Sequence, residues 1–317
     1  MGTKIGSGKF TYEVLVDWAR LPEGWSFVEA TDVAVDSRDR VYLLTRGEHP
    51  VIVFDPDGNV LSSWGEGILK GPHGVTIGPD DSLYCVDDGD HTVRKFTPDG
   101  KVLMTLGTPG QAAQFQGGLP FNRPTKAALD PKTGGIYVAD GYGNSRVHKY
   151  SPEGKLLFSW GEPGTDPGEF NVVHSVCTDK EGHVYIADRE NHRIQIFDAK
   201  GNYVTQWNNM HRPCGLSLSS NGEQWCYVGG LGPSLPINKD FPKLGPRIDI
   251  YNLKGERLAR LGDVRMGGEP HQFWAPHGIA NDSKGNIYVA EVSWSFIGSK
   301  MDPPKKLRSF RKLVKVG

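Results

Sequence analysis

An all-β chain folded as one six-bladed β-propeller is the fold class this sequence predicts, on three observations. A four-strand unit of about 40 to 50 residues recurs along the chain. The 317 residues include 41 glycines, 22 prolines and 8 tryptophans, which suits many short strands joined by tight turns rather than long helices. One histidine phase runs through alternate units. The length exceeds that of a typical domain, yet repeat architectures and closed β-structures reach it as single units, so one domain over 1–317 is expected.

The clearest copies run over 31–65, 73–107, 125–161 and 174–207. Each opens on an apolar first strand, turns at a segment such as Asp179-Lys-Glu-Gly182, and continues into a second strand such as Val184-Tyr-Ile-Ala-Asp188. A short polar loop leads to a third strand such as Arg193-Ile-Gln-Ile-Phe197. A Pro-Asp-Gly or Pro-Glu-Gly turn then starts a fourth strand ending in Trp-Gly or Leu-Gly. The fifth unit begins near 213 and carries a Gly- and Pro-rich insertion over 231–245; the sixth begins near 276. Blade starts therefore fall near 30, 72, 124, 173, 213 and 276. The sixth unit runs out after a candidate third strand at 307–310. The N-terminal run 12–18 reads as the outer strand that closes this blade, because closure removes the exposed edges of an open array.

Thirty-six Lys and Arg against 37 Asp and Glu leave no electrostatic footprint for nucleic acid or an anionic membrane. A small-molecule or peptide-like ligand with a carboxylate is the expected partner. Residues 1–10 lack a signal-peptide apolar run, and no stretch of eighteen apolar residues occurs. The four cysteines, Cys85, Cys177, Cys214 and Cys226, form no CxxC pair and are too sparse for a disulfide scaffold. These features together predict reduced thiols and a cytoplasmic location. Oligomeric state leaves no mark in the pattern.

Alignment of the six units puts Thr31, His73, Thr125, His174, Cys214 and His277 at one position, the start of the innermost strand. Alternate blades of a six-bladed ring lie about 120° apart, so the three histidines form an expected trigonal ligand set. Zinc accepts three such nitrogens and keeps a further position for water or substrate; another divalent metal would also suit them. Three polar residues hydrogen-bonded in a wet channel are the bland alternative. Neighbouring strands are antiparallel, so the loops after each second strand overhang the same face. Arg46 and Arg189 occupy equivalent places in those loops and are expected to grip a substrate carboxylate. The loop of blade three is one residue longer and holds Tyr142. A phenol beside a metal and an arginine can have its pKa lowered toward general-base service, the alternative being an aromatic lid. Asp140, Asn144, Asp188 and Asn191 read as loop braces, and the other seven histidines as surface or packing residues. No phosphate loop, nucleophile elbow or dinucleotide fingerprint occurs.

At these residues the chain resembles peptidyl-α-hydroxyglycine α-amidating lyases, which are propellers of NHL-type repeats. The resemblance runs from about 30 to about 291 through Arg46-Gly-Glu-His49, Pro72-His-Gly74, Asp140-Gly-Tyr-Gly-Asn-Ser-Arg146, Val173-His-Ser175, Ala187-Asp-Arg-Glu-Asn191 and Pro276-His277. It implies zinc on His73, His174 and His277, Tyr142 as base, and Arg46 and Arg189 serving the active site. The implied reaction splits a carbinolamide N–C–OH centre into an amide and an aldehyde acid such as glyoxylate. Two departures stand out. Gly143, Tyr185 and Ile196 replace cysteines that form disulfides in the animal enzyme, and Gly278 replaces an aspartate that helps hold a structural calcium. The second departure puts that calcium in question, with Asp32 of blade one the one nearby compensating carboxylate in register. A lactonase or esterase on the same propeller, and a non-catalytic interaction scaffold, are the competing functions.

Overall fold

The computed structural model describes residues 2–219, 222–238, 241 and 243–317. Among these residues the strands make six small antiparallel sheets, the six blades of a β-propeller. The first five sheets each hold four strands in chain order, blade one being Ala30–Val35, Val41–Thr45, Val51–Phe54 and Val60–Trp64. The insertion expected at 231–245 separates the second and third strands of blade five; within it, 239, 240 and 242 lie outside the described residues.

Burial explains why the sequence forms these strands. The second strand of blades one to four is buried at every position, as is Ile287–Glu291 of blade six. Such strands are covered on both faces and read as continuous apolar runs rather than as alternation. The fourth strands Val60–Trp64, Val102–Leu106 and Tyr203–Trp207 are largely exposed until their last residue, a buried Trp64, Leu106 or Trp207. Gly107 and Gly161, which follow such residues, have positive φ, and any Cβ there would strike Phe121 or Phe170. The Trp-Gly and Leu-Gly endings are thus a buried plug followed by a turn that only glycine fits.

Blade six closes as expected, with two differences. Its sheet runs Pro276–Asn281, Ile287–Glu291, Phe310–Lys315, Phe10–Leu15 and then Lys4–Ser7, so it holds five strands. The third strand begins at Phe310 rather than at 307, because Leu307 sits outside the pairing that starts at Phe310 opposite Ala290. The N-terminal strand stops at Leu15, and Trp18 leaves the sheet to pack against Phe54, Tyr288 and Phe310.

By compactness the chain divides into two units, 1–66 with 217–317 and 67–216. The first unit has two apolar clusters. One joins Ile5, Phe10, Tyr12 and Val14 to Tyr227, Ile248, Leu261 and Leu313; the other is built on Trp18, Leu43, Phe54 and Tyr288. In the second unit, Val86, Phe121 and Val138 centre one cluster and Phe170, Ile186 and Phe197 another. No helix among the described residues is long and apolar enough to cross a membrane.

Deleting residues 1–15 removes Ile5, Phe10, Tyr12 and Val14 from the first cluster and bares the edge of Phe310–Lys315. Each buried apolar side chain is worth roughly 1.5–3 kcal/mol. The truncated protein is expected to lose most of its stability in a urea titration; a parent-like midpoint would show that the N-terminal strands do not close the blade.

Candidate functional site

The site begins with a backbone irregularity. In blades one, two, four and six, pairing between the first and second strands skips the second residue of the inner strand, at Thr31, His73, His174 and His277. A bulge of this kind re-aims the side chain of the extra residue. In blades two, four and six the segment leading into the inner strand is clamped by the carboxylate that ends the second strand of the same blade. Asp87 accepts from the amides of Lys70 and Gly71, Asp188 from that of Asn171, and Glu291 from those of Trp274 and Ala275. Asp140 accepts from Asn122 N–H in blade three, and Asn144 and Asn191 donate to Asp140 and Asp188. The bracing role expected of these four residues is therefore what the structure shows.

Within the unit 67–216 the histidines are held identically. His73 Nδ1 lies 2.7 Å from the carbonyl oxygen of Thr125, and His174 Nδ1 lies 3.0 Å from that of Cys214. A carbonyl accepts only, so each Nδ1 carries the hydrogen and each Nε2 presents a lone pair. Both Nε2 atoms lie 3.0 Å from Tyr142 Oη. The potential ligand atoms of His73 and His174 come within 4.8 Å of one another, and both side chains are 2% exposed. The phenol has one hydrogen and can give it to only one of the two nitrogens. A shared cation suits this set of donors, since metal-bound imidazoles characteristically fix their orientation by giving the other ring N–H to a carbonyl.

Arg189 continues the site. Its guanidinium donates to Tyr142 Oη at 3.5 Å and to Glu190 at 2.8 Å, and Glu190 also accepts from Arg212 at 2.8 Å. Burial alone would raise the Glu190 carboxyl, but Arg212 and Arg189 outweigh it and keep the pKa low. Burial works to lower the pKa of Arg189, yet Tyr142, Cys214 and Glu190 raise it. The Tyr142 phenol is pushed up by burial, with the Arg189 charge opposing. Among the protein groups alone, desolvation outweighs the arginine; the expected lowering concerned a phenol with a cation beside it as well. Burial likewise pushes the Cys214 thiol up to about 12 although Arg189 opposes it, so this side chain, 3.3 Å from His174 Nδ1, is a neutral thiol.

The other unit holds His277 and Arg46. His277 repeats the pattern, with Nδ1 2.6 Å from the carbonyl oxygen of Thr31 and a side chain 7% exposed. Arg46 is taken up by Glu29, whose Oε1 accepts from Nη1 at 2.6 Å while Oε2 accepts from the amide of Ser295. Gly278 packs against blade one so closely that a Cβ would lie 2.3 Å from Asp32 Oδ1 and 2.4 Å from its Cα. An aspartate has no room there, which is the physical reason the chain departs from the calcium-binding pattern at this position. Asp32 itself accepts from the amide of Val33.

Sequence reasoning missed Glu29 and Glu190, the partners of the two arginines, and the pairing of Cys214 with His174. Glu29 and Glu190 have no glutamate at the matching places of the other blades, so no repeated residue marks them. The remaining histidines behave as packing or surface groups where described: His148 is buried between Asp140 and Ser159, His183 pairs with Asp179, and His49 stacks on Trp25.

A six-bladed propeller carrying histidines on alternate blades is the class this fold and site define. An NHL-repeat profile matches 121–150 and 170–197. Human NHL repeat-containing protein 3 is 37% identical over 304 residues, covering 90% of this chain and 82% of that protein. The chain belongs to the NHL-repeat family. It is also 32% identical to peptidyl-glycine alpha-amidating monooxygenase B of Xenopus laevis, over 80% of this chain but 29% of that protein. It matches peptidyl-alpha-hydroxyglycine alpha-amidating lyase 1 of Drosophila melanogaster at 32%, over 81% of this chain and half of that protein. The chain thus spans less than a third of the amidating monooxygenase it matches. A streptogramin B lyase structure superposes with a TM-score of 0.59 over 98% of this chain and 97% of its own at 11% identity, a likeness of fold.

Gly278→Ala is expected to destabilise the protein by about 1–3 kcal/mol, since the new methyl must displace Asp32 backbone and side chain. Chemical denaturation measures it. Unchanged stability would mean the two blades separate easily at this point.

Proposed function

We propose that this chain is a metal-dependent lyase that splits an N-acyl carbinolamide, R–CO–NH–CH(OH)–COO⁻, into the amide and an aldehyde acid such as glyoxylate. The observation that carries the reading is the convergence of His73 and His174 Nε2 on the hydroxyl of Tyr142, with both Nδ1 atoms locked to carbonyls and Arg189 alongside. The relationship to amidating lyase domains supports it.

His73, His174 and, from the shared phase and the same Nδ1 anchoring, His277 would hold the ion, zinc being the divalent metal that three imidazoles suit best. When bound, that ion supplies positive charge that stabilises oxyanions at the site. Tyr142 takes the proton of the substrate hydroxyl. The C–O bond becomes a carbonyl as the N–C bond breaks, and the departing amide nitrogen takes up the proton that Tyr142 received, which regenerates the phenolate. Arg189 holds Tyr142 Oη and favours its deprotonated form. Buried Glu29 and half-buried Glu190 fix the headings of Arg46 and Arg189, the two arginines proposed to serve the substrate. A non-catalytic scaffold is the second reading, and the match to human NHL repeat-containing protein 3, whose name specifies repeats and no reaction, does not decide between the two. The scaffold reading predicts neither metal nor turnover.

Protein purified without a His tag is expected to carry about one equivalent of a divalent metal per chain. His174→Ala should lose most of it while the blades stay folded, because strand pairing and apolar packing hold them. Metal-free, fully folded parent protein would count against the lyase.

Tyr142→Phe keeps the ring and deletes the proton acceptor. Single-turnover release of the aldehyde acid should fall by roughly 10²–10⁴, the usual share of general acid–base catalysis, at unchanged metal content. Near-parental turnover would reduce Tyr142 to a lid.

A further inference from the structure

We propose that Arg123 receives the carboxylate of the substrate and so sets the preference for an anionic rather than a neutral α-hydroxyamide, an inference that rests on the lyase reading. Arg123 enters blade three just before its inner strand, with φ at 60°, a left-handed conformation that costs energy for a non-glycine residue. Its main chain is tied on both sides. The N–H donates to His91 Nδ1 at 3.1 Å, and the carbonyl accepts from the amide of Tyr142 at 3.4 Å. This backbone lays the side chain along the phenol, with the guanidinium carbon 4.8 Å from the centroid of the Tyr142 ring.

One ion pair pins the guanidinium: Nη2 donates to Asp88 Oδ2 at 2.7 Å. The Asp88 side chain is 8% exposed whereas that of Arg123 is 52% exposed, so the anchor is buried and the arginine is not. Nη2 is the one guanidinium nitrogen of Arg123 with a hydrogen-bond partner among the described residues, which leaves its other N–H groups for a ligand. Arg189, on the same phenol, is only 13% exposed and is already shared between Glu190 and Tyr142. Within this unit Arg123 is therefore the accessible cation beside Tyr142.

The charges agree with this assignment. Arg123 and Arg189 both lie over the Tyr142 ring, so an anion arriving at the phenol meets two guanidiniums. A carboxylate takes parallel N–H bonds from a guanidinium, whereas an ester or amide accepts more weakly and brings no charge. Stacking on the phenol limits the swing of the guanidinium and holds the bound acid against the hydroxyl that acts on it.

The test uses N-benzoyl-α-hydroxyglycine and its methyl ester as substrates for the parent, Arg123→Gln and Arg123→Lys. For the free acid, KM should rise roughly 10–100-fold in Arg123→Gln with kcat within about threefold of the parent, the signature of a lost binding contact. Arg123→Lys should fall between, and KM for the ester should be the same in all three. Calorimetry with benzoylglycine, which lacks the hydroxyl and cannot be cleaved, separates this proposal from the lyase reading. If the parent cleaves neither substrate but binds benzoylglycine more tightly than Arg123→Gln does, the carboxylate site stands and the reaction is wrong. If Arg123→Gln matches the parent for both the acid and benzoylglycine, the assignment of Arg123 is overturned whatever the reaction.

Discussion

The bulge at the second residue of the inner strand is the constraint on which the rest of this molecule depends. Without it the side chains of His73, His174 and His277 would each follow the pleat of their own strand, and within 67–216 the Nε2 atoms of His73 and His174 would not meet at Tyr142. With it, each imidazole turns so that Nδ1 reaches a carbonyl at the start of the following blade. That single hydrogen bond fixes both the ring orientation and the tautomer, leaving Nε2 as an acceptor. Carboxylates at the ends of the second strands hold the segment before each histidine, and two of them are paired in turn, Asp188 with Arg193 and Glu291 with Arg311. A buried carboxylate of this kind is costly unless it is paired, which explains why Arg193 and Arg311 are themselves buried in third strands.

Desolvation and charge pull against each other at the site, and their balance has a chemical meaning. Tyr142 as a buried phenol resists ionisation, and Arg189 offsets this only in part. A base built from these protein groups alone would be poor at neutral pH. The arrangement makes sense as one completed by a cation on the histidines, since added positive charge is what both the phenolate and a substrate oxyanion need. Glu190 serves the same economy from the other side, linking Arg189 to Arg212 so that two guanidiniums share one carboxylate and retain net positive charge.

Much of this was legible in the sequence, for identifiable reasons. Blade boundaries show because the repeats bury an apolar second strand and most of the fourth strands in blades one to five end in Trp or Leu before a glycine. The histidine phase shows because the bulge position recurs at a constant offset from those strands. Other features left no trace. Lys4–Ser7 is a short edge strand with one buried residue and no alternation to detect. Glu29 and Arg123 stand two residues before Thr31 and Thr125, and Asp88 directly follows its second strand; these places recur from blade to blade, but the residue type at them changes, so no single residue type marks them. The depth at which Tyr142 is buried left no trace either, because its neighbours in sequence reveal the arginine but not the desolvation that opposes it.

The account stands or falls on what completes the histidine set, and X-ray absorption at the zinc edge of the untagged, metal-loaded protein tests that directly. Three imidazole nitrogens near 2.0–2.1 Å with oxygen in the remaining position is the spectrum expected of His73, His174 and His277. A sulfur shell near 2.3 Å would transfer a ligand role to Cys214. Fewer than three imidazoles, or zinc bound only loosely at surface carboxylates, would contradict the proposed centre.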